Sequence, residues 1–170
     1  MINASFSSEK ITSTSPDAFS LYEKSRFGEK KEKVIEYSPI ETLFLIKQNK
    51  LEISINSKPI SEEESEKKLK KLDKKILTKL EVYSDLRKRG YILKTALKFG
   101  ADFRIYEKGV KPGEDHAIWL LYITKSNESI NWTDFAAKNR VAHSAKKNLL
   151  IAILDEEGDV SYYQISWLKP

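Results

Sequence analysis

The chain has 170 residues, 40% of them hydrophobic and 32% charged, which is typical of a globular protein with one large domain or two small ones. The absence of cysteine excludes disulfides, thiolate metal sites and cysteine nucleophiles. No apolar run approaches the ~20 residues of a membrane span, and the first ten residues lack the pattern of a secretory signal, so we expect a cytoplasmic protein without a membrane partner. A net charge of +5, from 30 basic and 25 acidic residues, permits a polyanionic partner.

The first 75 residues are predicted to form a small α/β domain. Residues 1–32 are rich in Ser, Thr and charge, which predicts loops and short strands that are partly mobile. Capping boxes at Ser38–Glu41 and Ser61–Glu64 each predict the start of a helix. In chain order, the predicted elements are a strand at 33–37, a helix at 39–48, a strand at 51–55 and a charged helix at 62–72.

Residues 76–170 are predicted to form a second domain, because the composition changes near Lys74 and Lys75. Its predicted elements are a helix at 76–88, strands at 91–96, 101–107 and 116–124, a helix at 131–145, and strands at 149–154 and 160–167. The first of these helices is expected to stop at Gly90. This order favours a mixed sheet with helices packed against it, which is an α+β fold.

Three polar residues lie at predicted strand and helix ends in the second domain. Tyr106 closes a short extended segment, His116 opens an apolar run and is one of only two histidines, and Lys147 precedes another apolar run. A phenol, an imidazole and an ammonium group can cleave a phosphodiester without a metal, because imidazole donates a proton near neutral pH and lysine stabilises an oxyanion. Each residue alone also has an ordinary interpretation: a half-buried strand tyrosine, a strand-capping histidine and a cation at a helix C-terminus.

Basic residues are concentrated just before and around Tyr106. Between Arg87 and Lys111 there are eight basic residues and only two acidic ones, interleaved with aromatic side chains. This pattern suits phosphate contact combined with base stacking. It is equally typical of solvated cations on a surface whose aromatic residues form the core.

Several separate motifs occur in a fixed order between Leu77 and Pro170. They are Tyr83–Tyr91, Lys94–Tyr106, Glu114–His116, Arg140–Lys147 and Tyr162–Pro170. In order and in spacing this set resembles the archaeal tRNA-splicing endonuclease family, whereas the N-terminal part is similar only in general pattern, chiefly over residues 39–46. The resemblance implies a small N-terminal α/β domain (1–75) and a C-terminal catalytic domain with a restriction-endonuclease-like mixed sheet (76–170).

The resemblance also implies a reaction. Enzymes of this family cut precursor tRNA at bulge–helix–bulge intron junctions, by attack of a ribose 2′-hydroxyl that leaves 2′,3′-cyclic phosphate and 5′-hydroxyl ends. Tyr106 corresponds to the base, His116 to the acid and Lys147 to the group that stabilises the transition state, with no metal or other cofactor. A phenol is mostly protonated at neutral pH, so Tyr106 needs nearby positive charge, for which Arg104 and Lys147 are candidates.

Contacts with RNA are predicted less completely. Arg140 matches an arginine that in the family stacks on a bulged base, but the second arginine of that pair has no counterpart that we can place. Lys98 and Arg104 are candidates for phosphate contact. His143, four residues before Lys147, is interpreted as a packing or substrate-side residue rather than the catalytic histidine.

Two alternative functions remain open. A metal-dependent DNA nuclease of the restriction type shares the architecture, but it needs an acid two residues before a lysine, and the strand here ends Tyr122-Ile-Thr-Lys125. A non-catalytic subunit of a splicing complex is the second alternative, although such a subunit would not need all three catalytic residues.

Assembly is predicted from the C-terminus. The strand at 160–167 is apolar and aromatic, which suits pairing with its copy in a dimer. The turn before it has four acids, Asp155, Glu156, Glu157 and Asp159, and is either a solvated hairpin turn or, by resemblance, a loop that joins two dimers. We therefore expect a homotetramer, with an assembly of two catalytic and two structural subunits as the alternative.

Overall fold

The computed structural model describes residues 1–170. Its internal contacts divide the chain into two compact units, Met1–Leu80 and Glu81–Pro170. Both units combine helices with a mixed sheet, so the predicted α+β fold class is confirmed. None of the helices has the length and apolar character needed to cross a membrane.

The N-terminal unit contains a six-stranded sheet in the order β3-β4-β2-β1-β5-β6. Strands β1 and β5 pair in parallel, and the other pairs are antiparallel. The elements are β1 (Ile2–Ser7), β2 (Lys10–Ser13), α1 (Pro16–Ser25), β3 (Glu29–Lys31), β4 (Val34–Tyr37), α2 (Pro39–Lys47), β5 (Leu51–Ile55), β6 (Lys58–Pro59) and α3 (Glu62–Leu72).

The capping box predicted at the start of α2 is confirmed. The backbone N–H of Glu41 donates to Ser38 Oγ (3.4 Å), and the Glu41 carboxylate accepts from the Ser38 N–H (3.1 Å). The same carboxylate accepts from the N–H of Gly28 at 3.0 Å, which explains how it can be buried. At α3, Ser61 Oγ accepts from the Glu64 N–H at 3.2 Å.

The prediction of loops and short strands over residues 1–32 was wrong where the structure has α1, and incomplete for the strands. Ser15 caps α1 by accepting from the N–H of Ala18 at 3.2 Å, with proline at the first helical position. Strand β1 lies inside the sheet, between β2 and β5, with Ile2 and Ala4 buried. Tertiary pairing therefore orders a segment whose own periodicity is weak.

The second unit contains a five-stranded sheet in the order β11-β10-β9-β8-β7. Strands β9 and β10 pair in parallel and the other neighbours are antiparallel. The elements are α4 (Ile76–Lys88), in which the unit begins, β7 (Ile92–Ala96), a 3-10 helix (Leu97–Phe99), β8 (Ala101–Tyr106), β9 (Trp119–Lys125), α5 (Trp132–Ser144), β10 (Asn148–Leu154) and β11 (Val160–Ile165).

Each face of this sheet is covered by one helix. On one face, Tyr83 of α4 packs against Phe103 of β8, with ring centroids 5.6 Å apart. On the other face, Ala142 of α5 packs into a buried cluster with Leu120 and Leu149. Because both faces are covered, the central strands are almost continuously apolar, as the sequence predicted for β9 and β10.

Candidate active site

The topology of the second unit places three strand ends together. Strand β8 ends at Tyr106, β9 begins three residues after His116, and β10 begins directly after Lys147. Because β8 is antiparallel to β9 while β9 is parallel to β10, the end of β8 and the starts of β9 and β10 share one end of the sheet. The fold therefore brings the three predicted residues together although they are up to 41 positions apart in the sequence.

Two backbone hydrogen bonds fix this end of the sheet. The N–H of Ile118 donates to the carbonyl oxygen of Ile105 at 2.9 Å, and the N–H of Asn148 donates to the carbonyl oxygen of Ile118 at 2.9 Å. The segment that carries His116 is thus held on one side by the strand of Tyr106 and on the other by the strand that follows Lys147.

A cavity of about 480 Å³ opens at this end, and Tyr106, His116 and Lys147 all line it. Tyr106 is buried, Lys147 is half-buried and His116 is exposed. The cavity is also lined by both predicted phosphate contacts and by two acids and an aromatic residue that sequence reasoning did not assign to it: Lys98, Arg104, Glu114, Asp115 and Phe99.

The C-terminus of α5 determines the position of Lys147. The N–H of Lys146 donates to the carbonyl oxygen of His143, and the N–H of Lys147 donates to that of Ala142, both at 2.9 Å. This pair of bonds is a Schellman motif, in which the residue after the cap adopts a left-handed conformation. Lys146 occupies that position with φ 55°, where a residue with a Cβ costs about 1 kcal/mol relative to glycine.

Three cations, Lys98, Arg104 and Lys147, outnumber the two acids that line the cavity. Burial lowers the pKa of Lys147, and the nearby cations Arg104 and Lys98 lower it further. Arg104 pairs across the sheet with Lys94, which is buried, and the Nε of Arg104 is buried without a hydrogen-bond partner. Such a site favours an anion, because a bound negative charge relieves the repulsion between the cations.

The segment before β9 holds His116 at the mouth of the cavity. The carboxylate of Asp115 accepts a hydrogen bond from the backbone N–H of His116 at 2.6 Å, and Glu114 accepts from the N–H of Lys111 at 3.4 Å. Gly113 has φ 95°, which glycine adopts without strain. No group of three or more His, Asp or Glu side chains is arranged to hold a metal ion.

The two remaining residues of α5 singled out in the sequence lie outside this cavity. Arg140 is exposed and does not line the cavity. The ring of His143 lies 4.7 Å from that of Trp167, so His143 has a packing contact with the C-terminal segment. Lys94, one of the eight basic residues counted between Arg87 and Lys111, is buried on β7 and does not line the cavity.

The turn between β10 and β11 folds around its first acid. The carboxylate of Asp155 accepts hydrogen bonds from the N–H groups of Glu157 (2.9 Å) and Asp159 (2.8 Å). The carboxylates of Glu156, Glu157 and Asp159 are exposed. Asp155 therefore shapes the turn, while the other three acids form its outer charge.

Comparisons with known proteins cover both units. Residues 76–162 match the model of the tRNA intron endonuclease catalytic C-terminal domain, and residues 2–65 match that of the N-terminal domain. The tRNA-splicing endonuclease of Methanothermobacter thermautotrophicus is 39% identical over 150 residues, covering 88% of this chain and 87% of that protein. The tRNA-splicing endonuclease of Thermococcus kodakarensis is 36% identical over 170 residues, 99% of each chain. That of Nanoarchaeum equitans is 40% identical over 137 residues, covering 77% and 88%.

Proposed function

The chain belongs to the tRNA intron endonuclease family and is an endonuclease of tRNA splicing, and from this we propose that it cuts precursor tRNA at bulge–helix–bulge intron junctions. The observation that carries the proposal is the convergence of Tyr106, His116 and Lys147 on one cationic cavity. That cavity lies within the residues that match the family's catalytic domain.

The proposed reaction is an in-line displacement at phosphorus. Tyr106 accepts the proton of the ribose 2′-hydroxyl, whose oxygen forms a new bond to the adjacent phosphorus. The bond from phosphorus to the 5′-oxygen breaks, and His116 donates a proton to that leaving oxygen. The products are a 2′,3′-cyclic phosphate and a 5′-hydroxyl. Lys147 stabilises the negative charge that builds up on the nonbridging oxygens.

The surroundings of Tyr106 support its role as the base. A phenolate is favoured by nearby positive charge, which offsets the penalty that burial places on the charged form. Arg104 lies two residues before Tyr106 on β8, so both side chains point to the same face of the sheet, and Arg104 and Lys147 line the same cavity. These two cations support the proposal that Tyr106 acts as the base.

Binding of the RNA is proposed to use positions around the cavity as well as in it. Lys98 and Arg104 line the cavity and can contact phosphates next to the one that is cut. Arg140 is exposed on α5, where its guanidinium can stack on a base that has left the helix. Such contacts recognise the shape of the bulged RNA rather than its sequence.

We further propose a homotetramer that cuts without another protein. Two cuts are needed per intron, and two-fold symmetry places two cavities at a fixed separation. Strand β11 and the residues after it expose aromatic and aliphatic side chains, with Tyr163 55%, Trp167 51% and Leu168 81% exposed. The acidic turn before β11 supplies charge for a second contact between dimers.

The test of this function is incubation of the purified protein alone with a bulge–helix–bulge RNA in EDTA. We expect cutting at both junctions and products with 2′,3′-cyclic phosphate and 5′-hydroxyl ends, identified by mass spectrometry. Cutting that needs added Mg²⁺ and leaves 5′-phosphates would instead establish the metal-dependent alternative. Cutting that needs a second protein would establish the alternative of a heteromeric complex.

A further inference from the structure

A hydrogen-bonded cluster lies between α4 and β11 and takes no part in the proposed chemistry. The hydroxyl of Tyr162 donates to Asp85 Oδ2 at 2.6 Å. Arg89 Nε donates to both carboxylate oxygens of Asp85, at 3.0 and 2.9 Å. The guanidinium of Arg89 also lies 5.8 Å from the centroid of the Tyr162 ring. Each of the three side chains therefore contacts the other two.

This cluster is more strongly hydrogen-bonded than an ordinary surface ion pair. Tyr162 is half-buried, and burial, followed by its hydrogen bond to Asp85, raises the pKa of its hydroxyl, which therefore remains a donor. A hydrogen bond from a hydroxyl to a carboxylate is roughly twice as strong as one between neutral groups. The cluster thus fixes the distance between β11 and the last turns of α4.

Its place in the chain connects it to the acidic turn. Tyr162 is three residues after Asp159 and lies in the strand that returns from the turn. The turn and the end of α4 enclose a second cavity, of about 380 Å³, lined on one side by Asp85, Lys88 and Arg89 and on the other by Gly158 and Asp159. The turn therefore lies over this opening, and the cluster attaches one of its two strands to the helix.

The neighbouring tyrosines of β11 point to opposite faces of the sheet. Tyr162 pairs with Ala152 and Tyr163 with Ile151 across the ladder, and successive side chains of a strand alternate between faces. Tyr162 turns toward α4, whereas Tyr163 is 55% exposed. Tyr162 therefore binds β11 to α4, while the neighbouring Tyr163 remains at the surface.

We propose that Asp85, Arg89 and Tyr162 are positioning residues that hold the acidic turn in the orientation required for contact between dimers. The inference rests on the proposed assembly through that turn. Asp155 closes the turn from inside, and the cluster fixes its base to α4. Together they make Glu156, Glu157 and Asp159 a rigid acidic surface, which loses less conformational entropy on binding than a mobile turn.

The test is the dissociation constant between dimers and tetramers, measured by analytical ultracentrifugation. Tyr162→Phe removes only the hydroxyl and is expected to raise this constant about tenfold, the worth of one hydrogen bond to a charged group. Asp85→Ala should raise it further, and Asp85→Asn, which keeps an oxygen for Tyr162, less than Asp85→Ala. Tyr22→Phe is the matched control, because Tyr22 also lies beneath an arginine, Arg26 at 4.9 Å, but in the N-terminal unit.

A second readout separates positioning from a general loss of stability. Cleavage per chain by Tyr162→Phe should equal that of the unchanged protein at high protein concentration and fall on dilution, whereas a merely destabilised enzyme would lose activity at every concentration. If Tyr162→Phe does not fold, Asp85→Asn and Asp85→Ala provide the same comparison.

The outcomes distinguish the inference from the assembly on which it rests. Glu156→Lys combined with Glu157→Lys reverses the outer charge and leaves Asp155 in place. If this variant dissociates the tetramer while Tyr162→Phe and Asp85→Ala keep the original constant, the positioning role is wrong and assembly through the turn stands. If the charge-reversed variant also remains a tetramer, both ideas are wrong.

Discussion

Strand β10 connects two regions of the second unit that differ in charge and in internal strain. The cavity end, at Tyr106, His116 and Lys147, is cationic, and the hairpin end, at residues 155–159, is acidic. The seven residues of β10 separate the two ends by about 20 Å. We therefore expect that the proposed chemistry and the proposed assembly can be changed independently, although a single strand joins the two ends.

The two ends also differ in which residue adopts a left-handed backbone conformation. At the hairpin end, Gly158 takes the left-handed position with φ 92°, and the carboxylate of Asp155 satisfies two N–H groups. At the cavity end a lysine, Lys146, takes the left-handed position, and three cations share one cavity. Strain of this kind is typical of functional sites, where geometry is maintained at some expense of stability.

The largest effect is expected from His116→Ala, which should change cleavage at the cavity end without changing assembly at the hairpin end. Loss of a positioned acid should slow cleavage by about 10² to 10⁴, measured under single-turnover conditions, while the mass in solution stays unchanged. His143→Ala is the matched control, since His143 contacts Trp167 outside the cavity, and it should cut at nearly the original rate. An inactive His143→Ala beside an active His116→Ala would exchange the roles of the two histidines.

The converse change acts on the hairpin end alone. Light scattering of the unchanged protein should give a mass near four times 19.6 kDa. Glu156→Lys with Glu157→Lys should reduce it to two chains, because the acidic charge that the proposed contact uses is then reversed. Asp155→Ala should also dissociate the tetramer by opening the turn, whereas Asp155→Asn keeps an oxygen for the two N–H groups. A dimeric unchanged protein that cuts only with a second protein would refute self-sufficient assembly.

Arg140 tests whether recognition extends beyond the cavity end. Arg140→Ala should reduce cutting of the bulged RNA more than it weakens binding to an unbulged duplex, because base stacking needs a base outside the helix. The control is Lys125→Ala, an exposed cation at the far end of β9, which should change both RNAs little. Equal losses on the two RNAs would assign Arg140 to phosphate contact alone.

The charge of the cavity end can be measured directly. Arg104 and Lys98 lower the pKa of Lys147, in that order after burial, so removing either cation should raise that pKa, and Arg104→Gln more than Lys98→Gln. Burial remains in both variants, which keeps the pKa below its ordinary value. NMR titration of isotopically labelled lysine side chains gives the values, and no change in Arg104→Gln would place the two groups too far apart to interact.

The sequence predicted most elements of both units, because their signals are local or strongly apolar. The apolar runs of β9 and β10, the cap of α2 and the end of α4 near Gly90 all follow from short-range rules. The helix α1 was missed, since few of its residues are buried and the sheet around it orders the segment. The hydrogen bond between Asp85 and Tyr162 joins residues 77 positions apart, and no local sequence pattern predicts a contact over that separation.

The smallest expected effect compares two helix ends with the same geometry. At the end of α4, the N–H of Gly90 donates to Arg87 and that of Tyr91 to Leu86, both at 3.1 Å, with Gly90 at φ 91°. The end of α5 repeats this motif with Lys146 in the position of Gly90. Lys146→Gly should therefore raise the free energy of unfolding by about 0.5–1 kcal/mol, after allowing for the greater freedom of glycine in the unfolded chain.

Gly90→Ala is the control, because it makes the opposite change at the equivalent position of α4. It should lower the free energy of unfolding by about 1 kcal/mol. No atom lies within 4 Å of a Cβ built at Gly90, so the change reports backbone strain alone. Urea denaturation measures both variants, and single-turnover cleavage tests what the strain does for Lys147. If Lys146→Gly is more stable and cuts equally fast, the two backbone hydrogen bonds suffice to position Lys147. If it is more stable but slower, the restricted backbone of Lys146 itself contributes to the site, because glycine keeps the motif while loosening the residue next to Lys147.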